Sequence, residues 1–307
     1  MSEADETVLV VVVSFNSGHL LPGLLATLPA ALDPVPWRLA VADNGSHDDS
    51  VAVVRDLAPE AVVVEMGRNA GYAAGINAAV AAGGACTAVL VLNPDVRLDA
   101  GCVPTLLTAL REPEVGVAVP LLRDADGVRI DSLRREPSVL RAWADAVIGA
   151  DRAGRLGGLG ETITDEARYR EPCDTAWAEG SVQLVDVECW ARVGDWDESY
   201  FLYSEETDFH LRVGDAGQVV RFVPTARATH LEGDSGVSPR LWPLLTANRV
   251  RLARRRQGLA AAWAVWAALV LREATRACLG RPPARAAVRV LLSPRLLRRP
   301  AGPEWVA

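Results

Sequence analysis

The sequence predicts an α/β fold with a mainly parallel central sheet, flanking helices and a helical C-terminal extension. Three observations carry this. Short β-branched runs alternate with Ala- and Leu-rich stretches from residue 8 to residue 121, which is the signature of successive βαβ units. Each of the first four apolar runs ends in a polar, turn-forming segment. After residue 241 the composition turns helical and rich in Arg.

Taken in order, strands are expected at 8–13, 38–42, 61–65, 88–92 and 116–120, where continuous apolar runs suit strands covered on both faces. Helices are expected between them at 20–28, 49–57, 73–82 and 101–110. Ser46-His47-Asp48-Asp49 resembles a helix start, with Ser46 placed to cap and the acids favoured by the positive helix end. From 122 to about 175 the periodicity fades and 154–160 is rich in glycine, so irregular structure or a mobile loop is expected. Order returns with a strand at 182–187, a short helix near Cys189, an aromatic segment at 196–203, a helix from about 205 to 216 and a strand at 219–223. Residues 241–299 are helical in composition. The organisation expected is therefore an α/β unit over 1–240 and a basic, Trp-containing helical extension over 241–307.

Bulk properties narrow the function. Residues 1–248 hold 19 Arg against 37 acids, whereas the remainder holds 13 Arg against only Glu273 and Glu304. The body is acidic and the tail basic, and no nucleic-acid partner is expected. Five cysteines, odd in number and never spaced Cys-x-x-Cys, indicate neither a disulfide framework nor a zinc site. The acidic start Met1-Ser2-Glu3-Ala4-Asp5-Glu6 is unlike a secretory signal, so a cytoplasmic location is expected. Within the tail, 259–271 is apolar for thirteen residues, short of the ~20 that span a bilayer. Trp263 and Trp266 lie in this run, with Arg254, Arg255, Arg256, Arg272 and Arg276 around it. That composition suits a helix lying on the inner leaflet of a membrane, or a helix packed on the domain with a solvated basic face.

The chemistry gathers at strand ends. The run Val89-Leu90-Val91-Leu92 stops at Asn93-Pro94-Asp95, where Pro94 ends the ladder and leaves Asp95 at the mouth of the sheet, the place where open α/β sheets bind ligands. Ser14-Phe15-Asn16 ends the first strand, Asp43-Asn44-Gly45 the second, and Arg68-Asn69-Ala70-Gly71 follows the third. Downstream come Trp177-Ala178-Glu179-Gly180-Ser181, the acid cluster Glu205-Glu206-Thr207-Asp208, and His230. A carboxylate and a histidine can share one divalent cation while a separate carboxylate serves as base.

In this order the motifs resemble the inverting family 2 glycosyltransferases of the GT-A fold, and more closely their rhamnosyltransferase-like branch, which builds bacterial cell-wall linkers and polysaccharides. The resemblance spans roughly residues 8–256. It implies that Ser14, Phe15, Asn16, Asp43 and Asn44 line the nucleoside, and that Arg68, Asn69, Gly71 and Asn93 approach the nucleotide sugar. It implies further that Asp95 and His230 hold Mg²⁺ or Mn²⁺ on the donor diphosphate, and that Trp177, Gly180 and Ser181 lie near the donor and acceptor sugars. Glu206 takes the position of the usual base, with Asp208 and Glu205 beside it. Two departures stand out: Asn93 replaces the first acid of the metal motif, and Leu231-Glu232-Gly233-Asp234 replaces the glycine-rich sequence usual after the histidine.

Each residue also has a plainer reading. Asn44-Gly45 and Asn16-Ser17-Gly18 suit ordinary turns, Gly71 and Gly75 suit helix-to-strand packing, and Asp95 suits a strand-ending turn. His230 and Trp177 suit core positions, and Asp208 suits an i, i+4 pair with Arg212. The function expected is metal-dependent, inverting transfer of a sugar, rhamnose first, from a nucleoside diphosphate to a hydroxyl of a lipid-linked acceptor. Two alternatives stand beside it. One is a nucleotidyltransferase that makes a nucleotide sugar, although Ser14-Phe15-Asn16-Ser17 is not the glycine-rich, basic loop usual there. The other is a non-catalytic relative that binds nucleotide sugar or glycan, in keeping with Glu206 and the altered sequence after His230.

Overall fold

The computed structural model describes residues 7–231 and 241–305. The expectations for residues 1–6 and for Glu232-Gly233-Asp234 lie outside them.

The first half alternates as the pattern requires: β1 (Val8–Ser14), α1 (Leu21–Leu32), β2 (Trp37–Asp43), α2 (Ser50–Leu57), β3 (Val62–Glu65), α3 (Tyr72–Gly83) and β4 (Ala88–Leu92). Then come β5 (Val96–Leu98), α4 (Cys102–Leu110), β6 (Val115–Arg123), β7 (Leu133–Arg134), α5 (Val139–Ile148) and α6 (Ala150–Arg155). The second half holds β8 (Cys173–Thr175), β9 (Trp177–Ala178), β10 (Val182–Asp186), α7 (Val187–Val193), α8 (Glu205–Asp215) and β11 (Val219–His230). The chain continues in α9 (Leu241–Cys278), α10 (Pro282–Leu292) and α11 (Pro294–Leu297).

The main sheet runs β3-β2-β1-β4-β10-β6-β11-β5, with β8 also paired to β11. Strands β3, β2, β1 and β4 are mutually parallel, as are β6 and β11, while β10 is antiparallel to both of its neighbours. Every residue of β1 is buried, and its period of two divides the side chains between two cores. Val8, Val10 and Val12 pack with α1 and α4, whereas Leu9, Val11 and Val13 pack with α3 and with Trp196 and Phe209. At about 1.5–3 kcal/mol for each fully buried Val or Leu side chain, these central strands are the best-anchored part of the molecule. Their carboxyl ends are accordingly rigid platforms for side chains.

Two long-range pairings bring the second half to those ends. Insertion of β10 beside β4 sets Ser181 next to Asn93, whose N–H donates to the Ser181 carbonyl at 3.0 Å. Strand β11 runs past its expected end at Val223 to His230, so that His230 stands opposite Val96 and the Leu231 N–H donates to the Asp95 carbonyl at 2.9 Å. Pro224 hides this continuation: it cannot donate to a ladder, and a register shift between Val223 and Arg227 carries the strand past it.

Two other expectations need correction. Residues 122–175 are not simply irregular, since they contain β7, α5, α6 and β8, and Ser138 caps α5 by accepting from the Arg141 N–H at 3.2 Å. Ser46 does not cap a helix. Helix α2 begins at Ser50, and the Ser46 hydroxyl accepts instead from the Asn16 N–H at 2.9 Å, tying the first strand end to the second. The tail is helical as expected, in several pieces, and α9 itself breaks at Gly258, whose φ of 85° lies in the left-handed region that glycine tolerates.

The tail packs on the body rather than standing off it. Arg249 pairs with Glu161, Arg255 with Asp197 and Arg256 with Asp215, so part of the basic excess is matched to the acidic surface. Trp266 donates to the Leu291 carbonyl at 2.8 Å, whereas Trp263 is 59% exposed. Among the described residues no helix is long and apolar enough to cross a membrane.

Candidate active site

The ends of β1 and β2 meet in register, Ser14 opposite Asp43, and both side chains are buried together with Asn44. Asp43 Oδ2 accepts from the N–H groups of Gly45 and Ser46, and the Asn44 amide donates to the Gly71 carbonyl at 3.0 Å. The opposite atoms, Asp43 Oδ1 and Asn44 Oδ1, and the Ser14 hydroxyl have no protein hydrogen-bond partner. Buried polar atoms are rarely left so, and here three of them lie below one strand end. Asn16, at φ 53°, accepts from the His47 N–H at 2.8 Å and turns Phe15 outward. Phe15, Asn16, Asn69, Tyr72, Asn93 and Asp95 all line one cavity of about 350 Å³. Arg68 faces a neighbouring cavity beside Gly302 and Pro303.

Gly71 lines the first of these cavities and also packs closely. A Cβ there would come within 2.5 Å of the Phe201 carbonyl oxygen, the same oxygen that accepts from the Tyr72 N–H at 2.7 Å. At Gly75 a Cβ would meet Val13 at 2.7 Å, which is close helix-to-strand packing.

Asp95 and His230 come together across the β5–β11 pairing. His230 Nε2 lies 3.2 Å from Asp95 Oδ2, and Nδ1 lies 2.9 Å from Glu179 Oε1. Burial opposes a charged imidazole, yet the hydrogen bonds and charges of the two carboxylates outweigh it and push His230 up to about 10. Among the described residues no three or more His, Cys, Asp or Glu form a ready-made ion site. The donor set offered is one carboxylate and one imidazole, to which oxygens of a diphosphate would have to be added.

The acid cluster enters from α8. Phe201, Tyr203 and Ser204 all have positive φ, a strained run for residues with side chains, and it turns the chain so that Glu205 and Glu206 open the helix. Gly180 makes room for the second acid, since a Cβ at 180 would approach Glu206 Cβ at 3.1 Å. Burial raises the Glu206 carboxyl to about 7, with the charge of Glu179 adding to the shift and Arg134 opposing it. Glu205 is fully buried and is also raised, by burial and then by its neighbour Glu206. Asp208 is held differently, by Arg212 at 2.8 Å, whose guanidinium also donates to carbonyls at 193–195.

Glu206 lines a second cavity, of about 290 Å³, between the body and the tail helices. Trp177 forms part of its wall, with the Arg134 guanidinium 5.6 Å above the ring and the indole N–H donating to the Arg135 carbonyl at 3.2 Å. Ser181 is buried beside Asn93, and its hydroxyl has no protein hydrogen-bond partner. Asp95 on the first cavity thus meets His230, His230 meets Glu179, and the charge of Glu179 acts on Glu206 on the second.

Sequence pattern alone does not single out four contributors. Glu179 faces His230 only because β10 and β11 both reach this end of the sheet. The Tyr72 hydroxyl is buried without a partner, where the charges of Glu205, Glu206 and Asp95 act on it. His210 is fully buried and held by burial down at about 3, hence neutral. Its Nδ1 accepts from the Ala178 N–H at 3.2 Å, so Nε2 carries the proton and donates to Gln183 at 2.8 Å, fixing both ends of the β9–β10 link that bears Glu179 and Gly180. Asn248 braces the 200–203 turn from the tail.

Residues 9–152 match the family described as Glycosyl transferase family 2. The chain is 32% identical over 239 residues to the N-acetylglucosaminyl-diphospho-decaprenol L-rhamnosyltransferase of Mycobacterium tuberculosis strain H37Rv, covering 74% of this chain and 76% of that protein. It is 26% identical over 144 residues to rhamnosyltransferase WbbL of Escherichia coli K12, across 46% of this chain and 51% of the relative. A mannosyltransferase of Pyrobaculum calidifontis, solved with GDP-Man and Mn²⁺, superposes with a TM-score of 0.57 at 16% identity over 92% of this chain and 78% of its own, a likeness of fold. The gathering of the motifs at one end of the sheet and a relative matched over three-quarters of its length agree: the chain belongs to glycosyl transferase family 2, is built on the GT-A fold and is a glycosyltransferase similar to these rhamnosyltransferases.

Proposed function

We propose that this enzyme moves a sugar, rhamnose in the first instance, from a nucleoside diphosphate to a hydroxyl of a lipid-linked sugar acceptor, by single displacement with inversion. The mycobacterial relative is named for transfer to an N-acetylglucosaminyl-diphospho-decaprenol, and that acceptor class is adopted here. The observation that carries the reading is Glu206, tuned to about 7 on the wall of the second cavity while Asp95 lies in the first. The nucleoside occupies the first cavity over Ser14, Asp43 and Asn44, whose orphan polar atoms match a base and ribose. The acceptor sugar enters the second cavity along Trp177, and Glu206 takes the proton of the attacking hydroxyl. Burial makes this carboxylate more basic than an ordinary glutamate, which suits it to draw the proton off.

Asp95 and His230 would hold Mg²⁺ or Mn²⁺. The donor set fits a hard cation that takes few protein ligands and completes its shell with phosphate oxygens. When bound, the ion neutralises charge on the departing nucleoside diphosphate.

The catalytic unit is assigned to residues 1–240 and the accessory helices to 241–307. These helices, with α5, set the enzyme on the cytoplasmic membrane surface. Leu140, Trp143 and Val147 share one outward face of α5, and Leu259 and Trp263 are exposed on α9; all five are more than a third exposed. The test is a transfer assay with nucleoside-diphosphate rhamnose, the product anomer read by NMR. Retained configuration, or turnover undiminished in Glu206→Gln, would reject the mechanism.

A further inference from the structure

The second cavity has an inner end that Glu206 and Trp177 do not account for. It is built by the far arm of α9 and by α5, and it is rich in charge although it is deep. Glu273 is fully buried and organises it: Oε1 accepts from Arg272 at 2.7 Å and from Arg276 at 3.5 Å, and Oε2 accepts from the Trp242 indole at 2.8 Å. The two guanidiniums flank the Trp242 ring at 5.7 and 5.8 Å. Arg272 is only 6% exposed, lines the cavity, and its Nη2 has no protein hydrogen-bond partner. A buried guanidinium N–H without an acceptor is costly, and its retention beside two further arginines, Arg249 and Arg276, calls for an anion.

We propose that this inner end is the subsite for the acceptor's diphosphate, with Arg272 and Arg276 as its principal contacts and Arg249 beside them. The inference rests on the acceptor class adopted above and specifies which residues read it. Five arginines line the whole cavity against four acids. Two of those acids, Asp145 and Glu206, are raised chiefly by burial, which lessens their repulsion of an anion. Planar guanidiniums suit a diphosphate because each can meet two oxygens at once. The placement also gives the lipid a way out. The same two helices turn Ser138, Ala142 and Val265 to the cavity and Leu140, Trp143, Leu259 and Trp263 to solvent. An acceptor can then lie with its sugar at Glu206, its diphosphate at Arg272 and its chain along the exposed apolar faces.

The test uses the full chain. With EDTA present, inorganic pyrophosphate is titrated calorimetrically into wild type, Arg276→Gln and Arg272→Lys. The Arg276 side chain is 28% exposed, so its replacement leaves the core packed, and an unchanged melting temperature confirms that. Roughly tenfold to a hundredfold weaker binding in Arg276→Gln is expected from losing a charge-assisted contact. Equal binding in all three proteins, or none to wild type, overturns the proposal. Phosphatidylcholine vesicles carrying a polyprenyl diphosphate are compared with vesicles carrying phosphatidylglycerol. Retention by the first, lost in Arg276→Gln, supports the subsite, whereas retention by phosphatidylglycerol alone, equal in the variant, refutes it. Pyrophosphate binding requires no turnover, so failure of the glycosyl-transfer reading shows separately, as absence of any transferred sugar in the NMR assay.

Discussion

The side-chain amide nitrogen of Asn248 lies 2.9 Å from the backbone carbonyl of Tyr203, and equally 2.9 Å from those of Tyr200 and Leu202. Asn248 belongs to the tail, yet it holds the left-handed turn from which Glu205 and Glu206 emerge. Arg251 fixes the amide in turn by donating to its oxygen at 2.7 Å. The tail helices thereby brace the turn that presents both glutamates. Asn248→Ala should cost about 1–3 kcal/mol of stability, the penalty for buried carbonyls left unpaired. It should also lower kcat by up to ~10²-fold through displacement of the base, with donor KM little changed. Urea melts and steady-state kinetics read the two effects separately, and a destabilised variant with wild-type kcat would refute the bracing role.

If Glu206 is the base proposed above, it sets the pH profile. Its carboxyl is raised to about 7, first by burial and then by Glu179. Below that pH it holds a proton and cannot accept one from the acceptor; above it the carboxylate is free to act. The expected kcat/KM therefore rises with pH to a plateau, with its midpoint near 7. Glu206→Gln should lower kcat by ~10²–10⁴-fold and remove this limb. A profile flat between pH 5 and 8 in wild type would argue for another base.

Gly180 tests the same geometry from the opposite wall. An added methyl would sit 3.1 Å from Glu206 Cβ and 3.3 Å from the Gln183 amide, tighter than such contacts normally run, so one neighbour must give way. Gln183 is fully buried and held by His210, leaving Glu206 as the side chain that moves. Gly180→Ala is expected to fold with a small loss of stability and to lose more in kcat than in donor affinity. Unaltered turnover would show that the base tolerates displacement.

Much of this arrangement was legible in the sequence, for definite physical reasons. Strands β1, β2 and β4 are covered on both faces or nearly so, and they read as unbroken apolar runs whose polar endings stand out. The motif order therefore located Ser14, Asp43, Asn93 and Asp95 at one end of the sheet. Helix α5 did not read as a helix because Leu140, Trp143 and Val147 lie on its outer face while Val139 and Ala142 pack inward, which blurs the single apolar stripe that periodicity detects. The approach of Glu179 to His230 depends on β10 entering antiparallel and on β11 passing Pro224. Neither is a local property. Asn248 meets its carbonyls across 45 to 48 residues of chain, and the inner arginines face a cavity that exists only once the tail has docked.

Asp95 and His230 give the prediction that bears on the donor. Thermal shifts with nucleoside diphosphates are to be measured with Mn²⁺, Mg²⁺ or EDTA in wild type, Asp95→Ala and His230→Gln. A ligand that binds only the folded state raises its melting temperature by mass action, by about 2.7 kcal/mol of stability at a hundredfold excess over Kd. If the pair holds the ion, the shift in wild type needs both diphosphate and metal and vanishes in Asp95→Ala. His230→Gln puts a neutral amide of similar reach in place of the imidazole, so a reduced shift is expected there. The control is the fold itself. His230 is drawn up to about 10 by Asp95 and Glu179, so the metal-free protein has its own ion-pair cluster at this point. Asp95→Ala therefore lowers the baseline melting temperature as well, and the comparison that counts is the ligand-induced increment within each protein. A metal-dependent increment that survives in Asp95→Ala would place the ion elsewhere and free Asp95 for the plainer task of ending β4. An increment equal in metal and in EDTA would mean that the nucleoside diphosphate is held by the strand-end polar atoms alone.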